Sequence, residues 1–345
     1  MIAYGGGPGP RAGAARTRPG GPAWRSWRDA WEEAAYGPDG FWGRERPRDH
    51  FATGVGVGTL VARAVADLAP AGVTVVVDVG AGDGSLLSAL ADLLPGVALV
   101  GVDRRGRPPG LDPRIGWSVD HWDAGTGRWG GGGPEGWYGP GHRPLVVAHE
   151  WLDDLPVPVV GRAPDGWHEV EVDAYGEERL GRVMTGEDAA WLGGWWDLGA
   201  VPGDRAEVGR ARDAAWAHLV DAALAAPGGR ALAVDYGHLR RERPAGGSLV
   251  AYAGGRQRRP APDGSVNLTA GVAIDALAAA GEARGATTLL LRRQAEQLDR
   301  VPAETPEDPL DALVRRSERA ALTDPGRWGG LWWLLQGDGP DARAL

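Results

Sequence analysis

Two groups of residues have the types and spacing to do chemistry. The first is Gly80, Gly82 and Gly84, with Asp78 just before them and Asp103 21 positions after Gly82. Glycines two apart let the backbone turn tightly and let a ligand approach where a Cβ would block it. A helix beginning near Gly84 would point free N–H groups and its positive end at an anionic group. A carboxylate at position 103 can accept both hydroxyls of a ribose. This is a nucleotide-type site. A dinucleotide fingerprint needs glycine at position 85, and the chain has Ser85. The second group is Glu150, Asp153 and Asp154, with Asp235-Tyr236-Gly237 further along. Such carboxylates can hold a cation and accept a proton.

The elements that must position these groups follow from hydrophobic periodicity. Residues 73–79 form an apolar run of buried-strand type, and 97–102 form a second. Between them Leu86, Leu87, Leu90, Leu93 and Leu94 mark the inner face of a helix. Ile115–Val119 is a third strand, and the Gly-rich stretch 124–143 is a loop. Leu145–Ala148 and Ala231–Val234 are short apolar runs that suit parallel strands buried on both faces. In an open α/β sheet the carboxyl ends of such strands line the crevice, which puts Glu150 and Asp235 there. Leu60, Val61, Ala64, Val65 and Leu68 predict a helix before the first strand. Trp24, Trp27 and Trp31 predict another at 24–35.

Strands alternating with helices make the fold class α/β, a doubly wound Rossmann-like sheet. We expect a disordered segment at 1–22, an N-terminal helical segment at 23–70 and a core at 71–293. A hairpin (168–173 with 179–184) and helices at 187–197 and 204–226 form an insertion at about 161–226. A helix at 272–283 and a strand at 286–292 close the core. Residues 294–345 are expected to be a helical tail in which Trp328, Leu331, Trp332 and Leu335 make one stripe.

Composition narrows the function classes. The 345 residues, 43% apolar and 24% charged, suit a soluble globular protein with a real core. The net charge of −9 argues against a nucleic-acid partner. With no cysteine there is no disulfide, thiolate nucleophile or Cys-based zinc site, and no metal is expected. No apolar run approaches ~18 residues, so no membrane span is expected. The N-terminus has no apolar core of a signal peptide, and the expected location is cytoplasmic. All 37 basic residues are arginine, a bias that lowers the weight of Arg and Gly counts. The oligomeric state is left open.

Five segments, in order, resemble the MidA-like family of S-adenosyl-L-methionine (SAM)-dependent methyltransferases, relatives of the mitochondrial complex I assembly methyltransferase. They are Tyr36-Gly-Pro-Asp-Gly-Phe41, Asp78-Val-Gly-Ala-Gly82, Glu150-Trp-Leu-Asp153 through Leu155-Pro156, Val234-Asp-Tyr-Gly237, and Pro262-Asp-Gly-Ser265 with Leu268-Thr-Ala270. The resemblance implies SAM as cofactor; by their positions Asp78, Gly80, Ala81, Gly82, Gly84 and Asp103 are expected to hold it, with Asp120 or Asp123, after the third strand, near the adenine amino group. It implies a protein substrate, arginine in the mitochondrial member. Catalytic candidates are Glu150, then Asp153, with Asp235 and Tyr236 on the other wall. Alternatives are a small-molecule methyltransferase and a SAM-binding assembly factor without turnover. The chain departs from the family pattern at 53–58, His149, Ala253, Asn267 and Gly271.

Overall fold

The Val-Val-Val-Asp-Val run at 75–79 becomes an inner strand of a seven-stranded sheet. All five residues are buried, which only a strand covered on both faces achieves. The computed structural model describes residues 23–44, 58–196, 199–304 and 308–339. The expected segment 1–22 and positions 53–57 lie outside the described residues. The strands of the central sheet are β1 (Val75–Val79), β2 (Ala98–Asp103), β3 (Ile115–Val119), β4 (Pro144–His149), β5 (Arg230–Asp235), β6 (Thr287–Arg293) and β7 (Trp332–Gly337). Their order is β3-β2-β1-β4-β5-β7-β6. Strands β1 to β5 pair in parallel, and β7 runs antiparallel to both its neighbours. The order reverses between β1 and β4, so a ligand crevice belongs beyond their carboxyl ends.

Alternate residues of each strand feed two cores. Helices α2 (Leu60–Leu68) and α3 (Ser85–Leu93) bury Val61, Val65, Leu87 and Leu90 against Val76, Leu145 and Val147. Helices α5 (Arg210–Leu224) and α6 (Ile274–Glu282) bury Trp216, Leu219, Val220 and Leu277 against Val75, Val77 and Val146 on the other face. This is the expected doubly wound arrangement. Helix α1 (Trp27–Tyr36) buries Trp27 and Trp31 against Val157, Val159, Val170 and Val172 of a second, smaller sheet. That sheet holds the expected hairpin, 166–172 paired antiparallel with 178–183. Helices α4 (Gly186–Trp195) and α7 (Pro309–Thr323) complete the longer helices among the described residues.

Three elements differ from expectation. Trp24 precedes α1 instead of joining it. The stretch 204–226 begins as a short strand, Arg205–Glu207, and turns helical only at Arg210. The largest difference is the tail stripe. Trp332 and Leu335 lie in β7, between β5 and β6, with all six residues of the strand buried. The run Trp332-Trp-Leu-Leu335 is apolar on every side, so its periodicity fits a buried strand as well as a helix. The surrounding glycines, Gly329, Gly330 and Gly337, favour the strand. Its buried Gln336 is fully used: Oε1 accepts from Trp216 Nε1 (2.7 Å), and Nε2 donates to Ala278 O (2.8 Å).

Because β7 joins β5 to β6, Leu334→Ala should lower the unfolding free energy by about 2–5 kcal/mol, a core cavity cost. Truncation before Trp332 should abolish the cooperative thermal transition in circular dichroism. A truncated chain that melts like the full one would refute the placement of β7 between β5 and β6.

Candidate active site

The turn after β1 has the conformation its glycines predict. Gly80, Gly82 and Gly84 sit at φ 75°, 60° and 78°, the left-handed region that side chains disfavour. Gly80 N and Ala81 N donate to Val102 O at 2.8 and 3.1 Å, which ties the turn to β2. At Gly80 a second constraint adds to φ: a Cβ there would lie 2.5 Å from Trp151 Cδ1. The turn is thus in contact with the acidic loop beyond β4. Helix α3 starts at Ser85, whose N and Oγ both donate to Asp83 Oδ1. Part of the helix N-terminus is therefore occupied by the chain's own carboxylate.

A cleft of about 340 Å³ opens over this turn, beyond the carboxyl ends of β1, β2, β3 and β4. Asp78, Gly80, Ala81, Gly82, Asp103, Asp120 and Glu150 line it, while Gly84 lies just behind. Asp103 accepts from Gly82 N with Oδ2 (2.9 Å) and from Arg105 N with Oδ1 (2.9 Å). Asp78 is buried and has no hydrogen-bond partner among the described residues. Burial pushes its carboxyl up to about 8, helped by the nearby charges of Asp103 and Asp83. A buried acid without a partner suits a cationic or donor group on a ligand. Asp120 does not. Its Oδ1 accepts from His121 N (2.7 Å) and Gly131 N (2.6 Å), and its Oδ2 from Gly133 N (2.8 Å) and Trp137 Nε1 (3.0 Å). Both oxygens are engaged in ordering the loop, while Asp120 itself lines the cleft.

On the other bank, Glu150 follows β4 at φ 49°, the only positive φ outside glycine among the described residues. Such a backbone costs on the order of 1–3 kcal/mol and needs surroundings that enforce it. Its N–H donates to Val234 O at 2.8 Å. The next turn is held by Asp235, whose Oδ2 accepts from Trp151, Leu152 and Asp153 N at 3.2, 2.8 and 3.3 Å. Arg212 grips the same turn from behind. Its five N–H groups reach the carbonyls of Asp153, Leu155, Ala270 and Gly271, Leu155 twice. Burial raises Asp153 from its ordinary value and pushes Asp154 and Asp235 well above theirs. His149, 3.6 Å from Glu150 Oε1, is held by burial at about 4 and is neutral, so the two form no ion pair.

The structure therefore redistributes the expected catalytic residues. Glu150 lines the cleft; Asp153, Asp235 and Tyr236 do not. Asp153 is buried and accepts from Thr269 Oγ1 (2.6 Å), while Tyr236 is 38% exposed outside the cleft. Asp154 lines the cleft in place of Asp153. Sequence reasoning missed Arg212, although a lone arginine on the stripe Arg212, Ala215, Trp216, Leu219 was a signal. It also missed Tyr36, Trp42, Arg104, His121 and the tryptophan wall of the cleft. In that wall Trp129 stacks on Trp151 with centroids 5.8 Å apart and planes 9° apart. Two departures from the family pattern lie beside the acidic loop: Asn267 Nδ2 donates to Asp154 Oδ1 (3.2 Å), and Gly271 O accepts from Arg212.

The sequence profile of one protein family, described as "Putative S-adenosyl-L-methionine-dependent methyltransferase", matches residues 114–291, 178 of the 345. Among solved structures, a Burkholderia thailandensis protein bound to S-adenosyl-homocysteine is similar over 93% of this chain and 90% of its own. The identity is 23% and the TM-score 0.73. The native structure of an uncharacterised protein from the same organism gives the same coverage, with 22% identity and a TM-score of 0.72. At such identities the likeness establishes the fold. No curated protein matches the chain.

Asp78 also predicts a pH signature for the ligand-free protein. Its folded value of about 8 lies above the unfolded value near 3.8, so the folded state binds the extra proton between those limits. This acid's stability contribution is fully present below pH ~4 and is lost as pH rises through ~8. Asp78→Asn should remove that slope and stabilise the ligand-free protein at pH 8 by a few kcal/mol. Chemical denaturation of both proteins at pH 5 and pH 8 checks this; parallel pH dependences would contradict it.

Proposed function

The chain belongs to this family of S-adenosyl-L-methionine-dependent methyltransferases, and on that premise we propose that it methylates a protein side chain, with arginine the leading acceptor. The observation that carries this reading is Glu150, a carboxylate held at a strained φ in the wall of the cleft. SAM supplies an electrophilic methyl on a sulfonium, and the residues around the cleft suit it. The glycine turn leaves room for close approach. Asp103 is placed to accept the ribose hydroxyls through its remaining lone pairs. Asp78 is placed to meet the ammonium of the methionyl part, which would relieve its burial. Asp120 acts indirectly, by fixing the loop that borders the adenine.

A guanidinium stays protonated at neutral pH, so its nitrogen must lose a proton as the new N–C bond forms. Glu150 would pair with the guanidinium, orient one nitrogen in line with the methyl and take that proton. Asp154, whose carboxyl is pushed well up by burial and by the neighbouring Asp153, would contribute a hydrogen bond to the acceptor. Asp153 and Asp235 act through the turn they hold, and Tyr236 borders the outer approach.

Labelled SAM incubated with the protein and a lysate should pass its methyl to a protein band. Glu150→Gln should lower that transfer by about 10²- to 10⁴-fold while leaving SAM binding intact. Label found only in small molecules would overturn a protein acceptor. Label found nowhere, with SAM still bound, would favour a binding factor without turnover. For the cofactor half, Gly80→Ala meets Trp151 and should abolish SAM binding in calorimetry. Gly96→Ala, also at positive φ but in open space, should leave it unchanged. Equal affinity of wild type and Gly80→Ala would refute the glycine turn as cofactor cradle.

A further inference from the structure

The cleft has a crossbar that comes from outside the sheet. Tyr36 is the last residue of α1, and Gly37 N closes that helix on Glu33 O at 2.9 Å. The ring of Tyr36 carries the Arg104 guanidinium on its face, 4.5 Å from the centroid. Its hydroxyl donates to Asp154 O at 3.1 Å. Arg104 follows Asp103 at the end of β2, while Asp154 lies in the turn after β4. These strands flank β1 on opposite sides. Tyr36 therefore spans the cleft from bank to bank above the glycine turn, and it lines the cleft together with Trp42. The helix that presents it is firmly seated. Trp27 and Trp31 are buried in the second sheet's core, and Trp27 Nε1 donates to Glu178 Oε1 at 2.6 Å.

We propose that Tyr36 is a positioning residue of this methyltransferase: a crossbar that closes over bound cofactor, links the ribose bank to the acceptor bank, and must release before the demethylated product leaves. The proposal rests on this cleft being the SAM site. A group held on both banks by a hydrogen bond and a cation–π contact would slow exit far more than entry. Through Asp154 O the crossbar also adds a tie to the acceptor loop that Asp235 and Arg212 already hold.

The test uses S-adenosylhomocysteine and the full chain. Trp42, Trp122, Trp129 and Trp151 line the cleft, so binding can be followed by stopped-flow tryptophan fluorescence. Tyr36→Phe, which loses one neutral hydrogen bond, should speed dissociation about fivefold. Tyr36→Ala, which also loses the ring beneath Arg104, should speed it about fiftyfold. Association rates should stay within about twofold of wild type, a split that general destabilisation of the fold would not produce. Unchanged dissociation from Tyr36→Ala, with wild type binding normally, overturns the crossbar alone. If Tyr36→Ala does not fold, unchanged dissociation from Tyr36→Phe overturns it instead. Failure of the wild type to bind overturns the cofactor assignment of the cleft, and the crossbar with it.

Discussion

The acidic bank depends on one interaction: the turn after β4 is held between two buried side chains, one accepting its N–H groups and one donating to its carbonyls. Asp235, from the end of β5, takes three backbone N–H groups of that turn, and Arg212, from α5, takes its carbonyls. Arg212 is 1% exposed and has every donor satisfied, the condition under which a buried guanidinium is tolerable. It also lies close enough to Asp153, Asp154 and Asp235 to offset part of their burial. Removing either side chain would leave several buried backbone groups of the turn without a partner, at a cost of about 1–3 kcal/mol each. The strain at Glu150 persists because the turn beside it cannot relax.

The two banks of the cleft are coupled by contact. Trp151, one residue after Glu150, lies against Gly80 of the glycine turn, and its ring stacks on Trp129. Trp129 meets Trp122 and Trp137 edge-on at 5.4 and 4.7 Å, while Asp120 anchors that loop through Trp137 Nε1. The chain has 17 tryptophans against two phenylalanines, and indoles fill this wall, the α1 core and the β7 strand. Large rigid rings with one donor each give a wall that is packed and still hydrogen-bonded in places.

Three departures from the family pattern, His149, Asn267 and Gly271, lie on this same side. The glycine turn, Asp78 and Asp103 retain the pattern. Asn267 and Gly271 touch the partners of the acidic turn, and His149 lies beneath Glu150.

How much was legible follows from the range of the forces involved. The unit β1–turn–α3–β2 could be read directly, because period, positive-φ glycines and a strand-terminal acid are local properties of consecutive residues. The reversal of strand order and the helices on both faces followed from alternation of strand and helix. The identity of β7 did not, because an all-round apolar run suits strand or helix, and only the gap between β5 and β6 decides. Nor did the choice between Asp153 and Asp154, neighbours whose directions depend on how Asp235 and Arg212 wind the turn. Asp120 had the right position for a ligand contact, but loop donors 11 to 17 residues away consume it. The sequence alone determined the glycine turn after β1 and the class of fold. Tertiary structure decided which acids face the cleft, since that depends on partners brought from 60 to 120 residues away.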